Sequence, residues 1–278
     1  MNIVTPHDAI RMVQTVSNLH DTVGQFLNSC GLQPSAKSQA ASELNTFQRP
    51  ESLTTAYSQG TILIEVAADQ LMAFTKTVTQ PIQTVAPWSC LRCFIESCAL
   101  ATWLLDPNLD AKTRVQRSFT FRHEGLAEQS KFVGAAGDKL GRTKVIARID
   151  EVERVALGLG FSRILHMPSI TDIVIKNLDE EAVYRLLSAM THAYPWAIQQ
   201  LSLRGVGKSS SLLIEDTDES TEIHLFEKHL EPFYVSFLCG KAAKVFSKPV
   251  MYQCELFGWD VKRLKSIFAL AFTNLGIK

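Results

Sequence analysis

Arg185, Ser188 and His192 lie in the stretch Y-R-L-L-S-A-M-T-H, and their types and spacing are those of a site for phosphodiester chemistry. At about 100° per residue, a helix returns a side chain seven positions on to within roughly 20° of its start. The guanidinium and the imidazole would then project the same way, two turns apart, with the Ser188 hydroxyl between them. Glu181 extends this polar seam by one turn, and Val183, Leu186, Leu187 and Met190 fall on the apolar side. The same seam could instead satisfy itself within a bundle of helices.

A second set of groups could support it. Arg92 and Glu96 sit one helical turn apart among Phe94, Ile95, Leu100 and Trp103, so both charges should be partly buried and in need of partners. The spacing predicts a polar cluster between two helices, with Glu96 pairing with Arg92 or Arg185. With seven histidines in the chain, an Arg-to-His spacing of this kind should arise about once by chance, and Arg117 with His123 forms a second instance. That pair lies in R-V-Q-R-S-F-T-F-R-H, which reads as a solvated basic helical face.

The positioning elements are helical. Period-3.6 patterning dominates the 278 residues and alternation is scarce, so the fold class expected is all-α, a multi-helix bundle. A first helix is predicted from Pro6 to Asn28, capped by Thr5 and ended by Gly31, and a shorter one after Pro34 and Ser35. Another spans Leu53 to Val78 with Ile62, Leu63, Val66, Ala67 and Leu71 inward. Pro81 and Pro87 bracket a linker before a helix from Trp88 to Leu105, which Asp106-Pro107 stops. Asp110 should cap a long helix reaching Gly134 and Gly137, and a further one runs from Arg142 to Leu157. Residues 161–178 give no clear pattern. Asp179 is expected to cap the Arg185 helix, Pro195 to interrupt it, and Trp196 to Leu201 to resume it. Arg204 to Ser220 reads as a loop with a short strand at Leu212 to Ile214, followed by two or three helices over Thr221 to Leu275. The organisation expected is N-terminal helices over 1–50, a helical core over 51–203, and a loop with C-terminal helices packing on that core over 204–278.

Composition narrows the function. Lys plus Arg and Asp plus Glu are both 28, which argues against a general nucleic-acid binder and leaves only local basic surface. The six cysteines are irregularly spaced, and no charged-then-apolar leader follows Met1, so the chain is expected in a reducing cytoplasm without disulfides. Ala86 to Leu105 is the longest apolar stretch, but Arg92 and Glu96 in its middle make it a buried helix rather than a membrane span. Cys90-Leu-Arg-Cys93 lacks a second ligand pair for zinc and reads as buried small hydrophobes. G-V-G-K-S-S at 205–210 ends like a phosphate-binding loop, yet Ser202 stands where its first glycine belongs and no buried strand precedes it. His224 and His229, beside Glu227, are poorly spaced as ligands on one helical face. Phe226, Phe233, Tyr234, Phe237, Phe246 and Trp259 fall mostly at core spacing. No cofactor and no metal are expected.

Three segments carry a resemblance. L-R-C-F-I-E-S-C-A-L-A-T-W-L-L-D-P at 91–107 resembles the R-x-x-x-E segment of an uncharacterised family of bacterial helical proteins, and V-Q-R at 115–117 resembles its R-x-x-R region. Y-R-L-L-S-A-M-T-H at 184–192 is similar to that family's Y-R-x-x-S-x-x-x-H segment. The group in turn resembles the HEPN superfamily, helical bundles with an Arg-to-His motif that are often metal-independent ribonucleases of toxin–antitoxin and phage-defence systems. The similarity covers roughly residues 50 to 200. It implies a HEPN-like core with added N- and C-terminal helices, Arg185 and His192 as the catalytic pair, and Tyr184, Ser188, Arg92 and Glu96 in support. His192 would move a proton at the ribose 2′-hydroxyl or leaving 5′-oxygen, and Arg185 would stabilise the phosphorane. A single catalytic histidine per chain implies a homodimer. An RNA substrate and a protein regulator complete the expected partners. Active members commonly carry a polar residue after the arginine, where this chain has Leu186. The rival expectation is a non-catalytic scaffold or sensor subunit whose seam is a structural network.

Overall fold

The computed structural model describes residues 4–31, 33–79, 81–161, 166–209 and 223–277. Among them are eleven α-helices and one two-stranded hairpin, so the chain is an all-α multi-helix bundle. The helices are α1 (Pro6–Cys30), α2 (Gln39–Thr46), α3 (Pro50–Thr77), α4 (Ala86–Leu105), α5 (Ala111–Ala135), α6 (Lys139–Gly158), α7 (Ile170–Leu178), α8 (Glu181–Thr191) and α9 (Pro195–Leu201), followed after the hairpin by α10 (Pro232–Phe257) and α11 (Val261–Leu275). No helix among the described residues is long and apolar enough to cross a membrane.

The local signals work as expected at several ends. Thr5 caps α1 in a capping box with Asp8, Pro6 opens it, and Gly31 at φ 77° stops it. Asp110 caps α5 through the Thr113 amide. Helix α4 is the hub. Thirteen of its 20 residues are buried, too many for one stripe, so it is covered on several sides by α3, α5, α7, α8 and α10. Burying each of its large side chains, Trp88, Phe94 and Leu104 among them, contributes roughly 1.5–3 kcal/mol. Gly60 lets α3 approach α4: a Cβ there would overlap Leu105 Cγ and stand 2.6 and 2.8 Å from its Cδ atoms. Helices α10 and α11 pack with α1, and α6 with α5.

Four expectations are corrected. Ile62 and Val66 of α3 are 55% and 42% exposed, because Ile64, Ala67, Leu71 and Phe74 take the buried phase, set by α4 on that side. Asp179 does not cap the Arg185 helix: it ends α7 in a left-handed conformation (φ 55°), and Glu180 precedes α8 without a side-chain cap. The stretch from Arg204 is not loop throughout, and residues 223–228 are strand rather than helix, the C-terminal helices beginning at Pro232. Strands β1 (Leu203–Ser209) and β2 (Ile223–Lys228) pair antiparallel with a register slip between Gly205 and Gly207. Extended neighbours satisfy each other's backbone groups here, a non-local gain the local glycine and serine content hides. The expected strand at 212–214 lies outside the described residues.

Candidate functional site

Helix α8 packs on α4 and α7 through Val183, Tyr184, Leu187 and Met190. Tyr184 is buried, and its hydroxyl donates to Glu96 Oε1 at 2.7 Å across the α4–α8 contact. Arg92 Nη2 meets the same carboxylate oxygen at 3.1 Å, one turn back on α4, and its guanidinium carbon lies 5.9 Å from the Tyr184 ring centroid. Arg92 and Glu96 side chains are 22% and 24% exposed, the partly buried cluster the sequence predicted. Burial and the adjacent Glu96 push the Tyr184 phenol above its usual range. For Arg92, burial pulls down, but Tyr184 and Glu96 beside it outweigh that and hold it above the ordinary arginine value. Arg92 Nε is buried and has no hydrogen-bond partner among the described residues.

Arg185 is outside this cluster. One residue past Tyr184 turns it by about 100°, away from α4. Its side chain is 66% exposed, and Nε donates to Glu181 Oε1 at 2.9 Å within the same helix. Of the two partners offered to Glu96, the structure selects Arg92 together with Tyr184. Ser188 is half-buried on the same helix. His192 is exposed at the helix C-cap, where its amide donates to Ser188 O at 2.9 Å and keeps the helical phase as far as its own Cα. Beyond it the chain turns sharply. Ala193 has φ 53°, its amide donates to Met190 O and that of Tyr194 to Ala189 O, the two bonds of a Schellman ending that normally uses glycine. The polar cluster expected to join Glu96 to the Arg185 seam is thus separate from it: a tyrosine–glutamate–arginine anchor faces α4, and Arg185 with His192 faces solvent.

The other sequence candidates fall as follows. Arg117 is not on a solvated face. It is half-buried, with Nη1 donating to Trp103 O at 2.6 Å and its guanidinium carbon 5.2 Å from the Trp103 ring centroid. The C-terminal end of α4 draws it in, since unpaired carbonyls there favour a cation. His123 instead reaches Glu153 of α6 at 3.2 Å. Gly205 to Ser209 lie in β1, not in a turn leading into a helix, so the phosphate-loop geometry is missing there. No group of three metal-binding side chains occurs among the described residues. His224 lies in β2, while His229 pairs with Glu231. Phe233 is 53% exposed, whereas Phe246 is buried.

Two charged nodes escaped the sequence reading. Arg114 is fully buried, donating to the carbonyls of Leu104, Asp106 and Leu109 and to Glu43 Oε2 at 3.4 Å. Tyr57 also donates to Glu43, and the Arg114 guanidinium carbon lies 5.5 Å from its ring centroid. The available signal was phase: Arg114 shares a helical face with Val115, Ser118 and Phe119. Glu180 is 3% exposed and is held by Lys241 at 2.7 Å and Lys244 at 3.3 Å, from adjacent turns of α10.

An all-α bundle whose α8 carries an exposed arginine and histidine and is tied to α4 by a partly buried tyrosine–glutamate–arginine cluster is the class these observations define. No protein-family model, no curated protein and no solved structure matches the chain.

Proposed function

We propose that the exposed face of α8 is a ribonucleolytic site of HEPN type, with Arg185 and His192 as its catalytic pair and a second copy of the chain completing it. The observation that carries this reading is the division of labour along α8. Tyr184, tied to Glu96 and Arg92, fixes the helix on α4, and the two groups with suitable chemistry remain open to solvent at its other side. Proton transfer by His192 and charge stabilisation by Arg185 are both supplied by the chain itself. A lone imidazole cannot conveniently serve as base and acid in one turnover, and a twofold partner brings the second. In a defence or toxin–antitoxin setting, a protein regulator would cover this face.

Expression of the intact chain should arrest growth and fragment RNA, and His192→Ala should abolish both while leaving the helical circular-dichroism spectrum unchanged. Identical behaviour of the two folded proteins would remove the nuclease reading. The second reading, a non-catalytic scaffold that binds another protein, is favoured by Tyr194 and Trp196, which are 54% and 48% exposed beside His192, and by the ion pair that already occupies Arg185. Under that reading, Trp196→Ala weakens a protein complex and His192→Ala is silent.

A further inference from the structure

A cavity of about 320 Å³ opens where α4, α5, the last turn of α7 and the segment preceding α7 meet. Trp103 and Pro168 form its apolar wall, Thr120 and Asn177 are neutral, and the remaining lining groups, Arg117, His166 and Lys176, are all basic. Among the described residues, no carboxylate lines it. Among the described residues, neither Arg117 nor Lys176 has an acidic partner within ion-pair distance; the only acceptor for Arg117 is the Trp103 carbonyl.

This is an unusual state for a half-buried cation. Burial, with the nearby Arg114 charge adding to it and Asp106 opposing, pulls the Arg117 guanidinium below its ordinary value. Its neighbour Arg114, on the same helix, has Glu43 for the purpose. Basic groups converging on an apolar-walled pocket that opens to solvent raise the positive potential at its mouth, and an arginine fork matches the oxygens of a phosphate. The volume falls at the small end of ligand pockets, large enough for one ring system and an oxyanion but not for a folded polymer.

We propose that this cavity binds a small organic phosphate carrying a flat ring, with the phosphate at Arg117 and Lys176 and the ring against Trp103 and Pro168. The site is separate from Arg185 and His192, and it stands or falls independently of the nuclease reading. A ligand here would tie α5 to α7, which packs on α8, so binding is expected to raise thermal stability as well.

The test uses the full chain, calorimetry and adenosine monophosphate as probe, with adenosine and inorganic phosphate as separate arms. Lys176→Glu is the informative variant, because Lys176 is exposed and makes no side-chain bond among the described residues, so the fold should tolerate it. Lys265→Glu on α11 applies the same charge change outside the cavity. Expected are saturable one-to-one binding of the nucleotide, a loss of about tenfold or more in Lys176→Glu, and wild-type affinity in Lys265→Glu. Displacement of the nucleotide by inorganic phosphate of weaker affinity supports the anion subsite, whereas phosphate binding as tightly as the nucleotide would overturn the ring subsite. Absence of saturable binding, equal binding of adenosine, or an unchanged affinity in Lys176→Glu would overturn the proposal.

Discussion

The bundle contains the same trio twice. At one node Tyr57 donates to Glu43 while Arg114 pairs with that carboxylate and lies over the tyrosine ring; at the other, Tyr184 donates to Glu96 while Arg92 does the same. The chemistry matches, but the surroundings differ. Arg114 is fully buried with every guanidinium nitrogen bonded, three of its bonds going to backbone carbonyls at the α4–α5 turn. Arg92 is partly open, leaves its buried Nε without a hydrogen-bond partner among the described residues, and adjoins a helix whose next residue faces solvent. A closed node locks a turn. An open one can hold a helix in place while leaving its outer face free, which is why α8 and not α5 is the place to look for activity.

The comparison is broken most directly at the closed node. Arg114→Met should destabilise by about 3–5 kcal/mol, measured by urea unfolding, because it leaves three carbonyls without their donor and Glu43 without its cation. A loss under 1 kcal/mol would mean the node is not a lock. At the open node Tyr184→Phe removes a single hydroxyl bond, and about 1 kcal/mol is the expected loss, with a larger effect on RNA cleavage than on stability if α8 must be held to position His192.

Ala193→Gly tests whether strain sits beside that histidine. A left-handed alanine costs about 1–2 kcal/mol and glycine returns part of it as chain entropy, so a gain of about 0.5 kcal/mol in the unfolding free energy is expected. No gain would show that the turn after His192 is unstrained.

The mildest effect appears only in alkali. Both phenols are raised, Tyr57 far more than Tyr184, by burial first and then by their glutamates. A raised tyrosine keeps its proton in the folded chain after the unfolded chain has lost it. Stability is therefore full below the unfolded value near 10 and falls as pH rises above it. Tyrosinate absorbance should show Tyr184 ionising before Tyr57, and Tyr57→Phe should flatten the alkaline loss of stability.

Much of the architecture was legible because it is local. Thr5 with Pro6, Asp110 and Gly31 mark helix ends by their own backbone chemistry, and the apolar run at Ala86 to Leu105 could only be a central helix. The pairing of 203–209 with 223–228 was missed because pairing between strands leaves no trace in either strand alone. At the candidate site, the helical period correctly placed Arg185 on the face turned from the apolar side, and the partial burial of Arg92 and Glu96 followed from their neighbours.

Sequence by itself determined which residues share a helix face, since that follows from a repeat of 3.6 residues and needs no knowledge of the rest of the chain. Only the tertiary structure decided which charge meets which. Glu96 chose Arg92 and Tyr184 over Arg185, and Glu43 found Arg114 at a separation of 71 residues, because partners are fixed by how whole helices pack and not by spacing along one of them. The same packing that sealed one arginine left Arg185 and His192 in water.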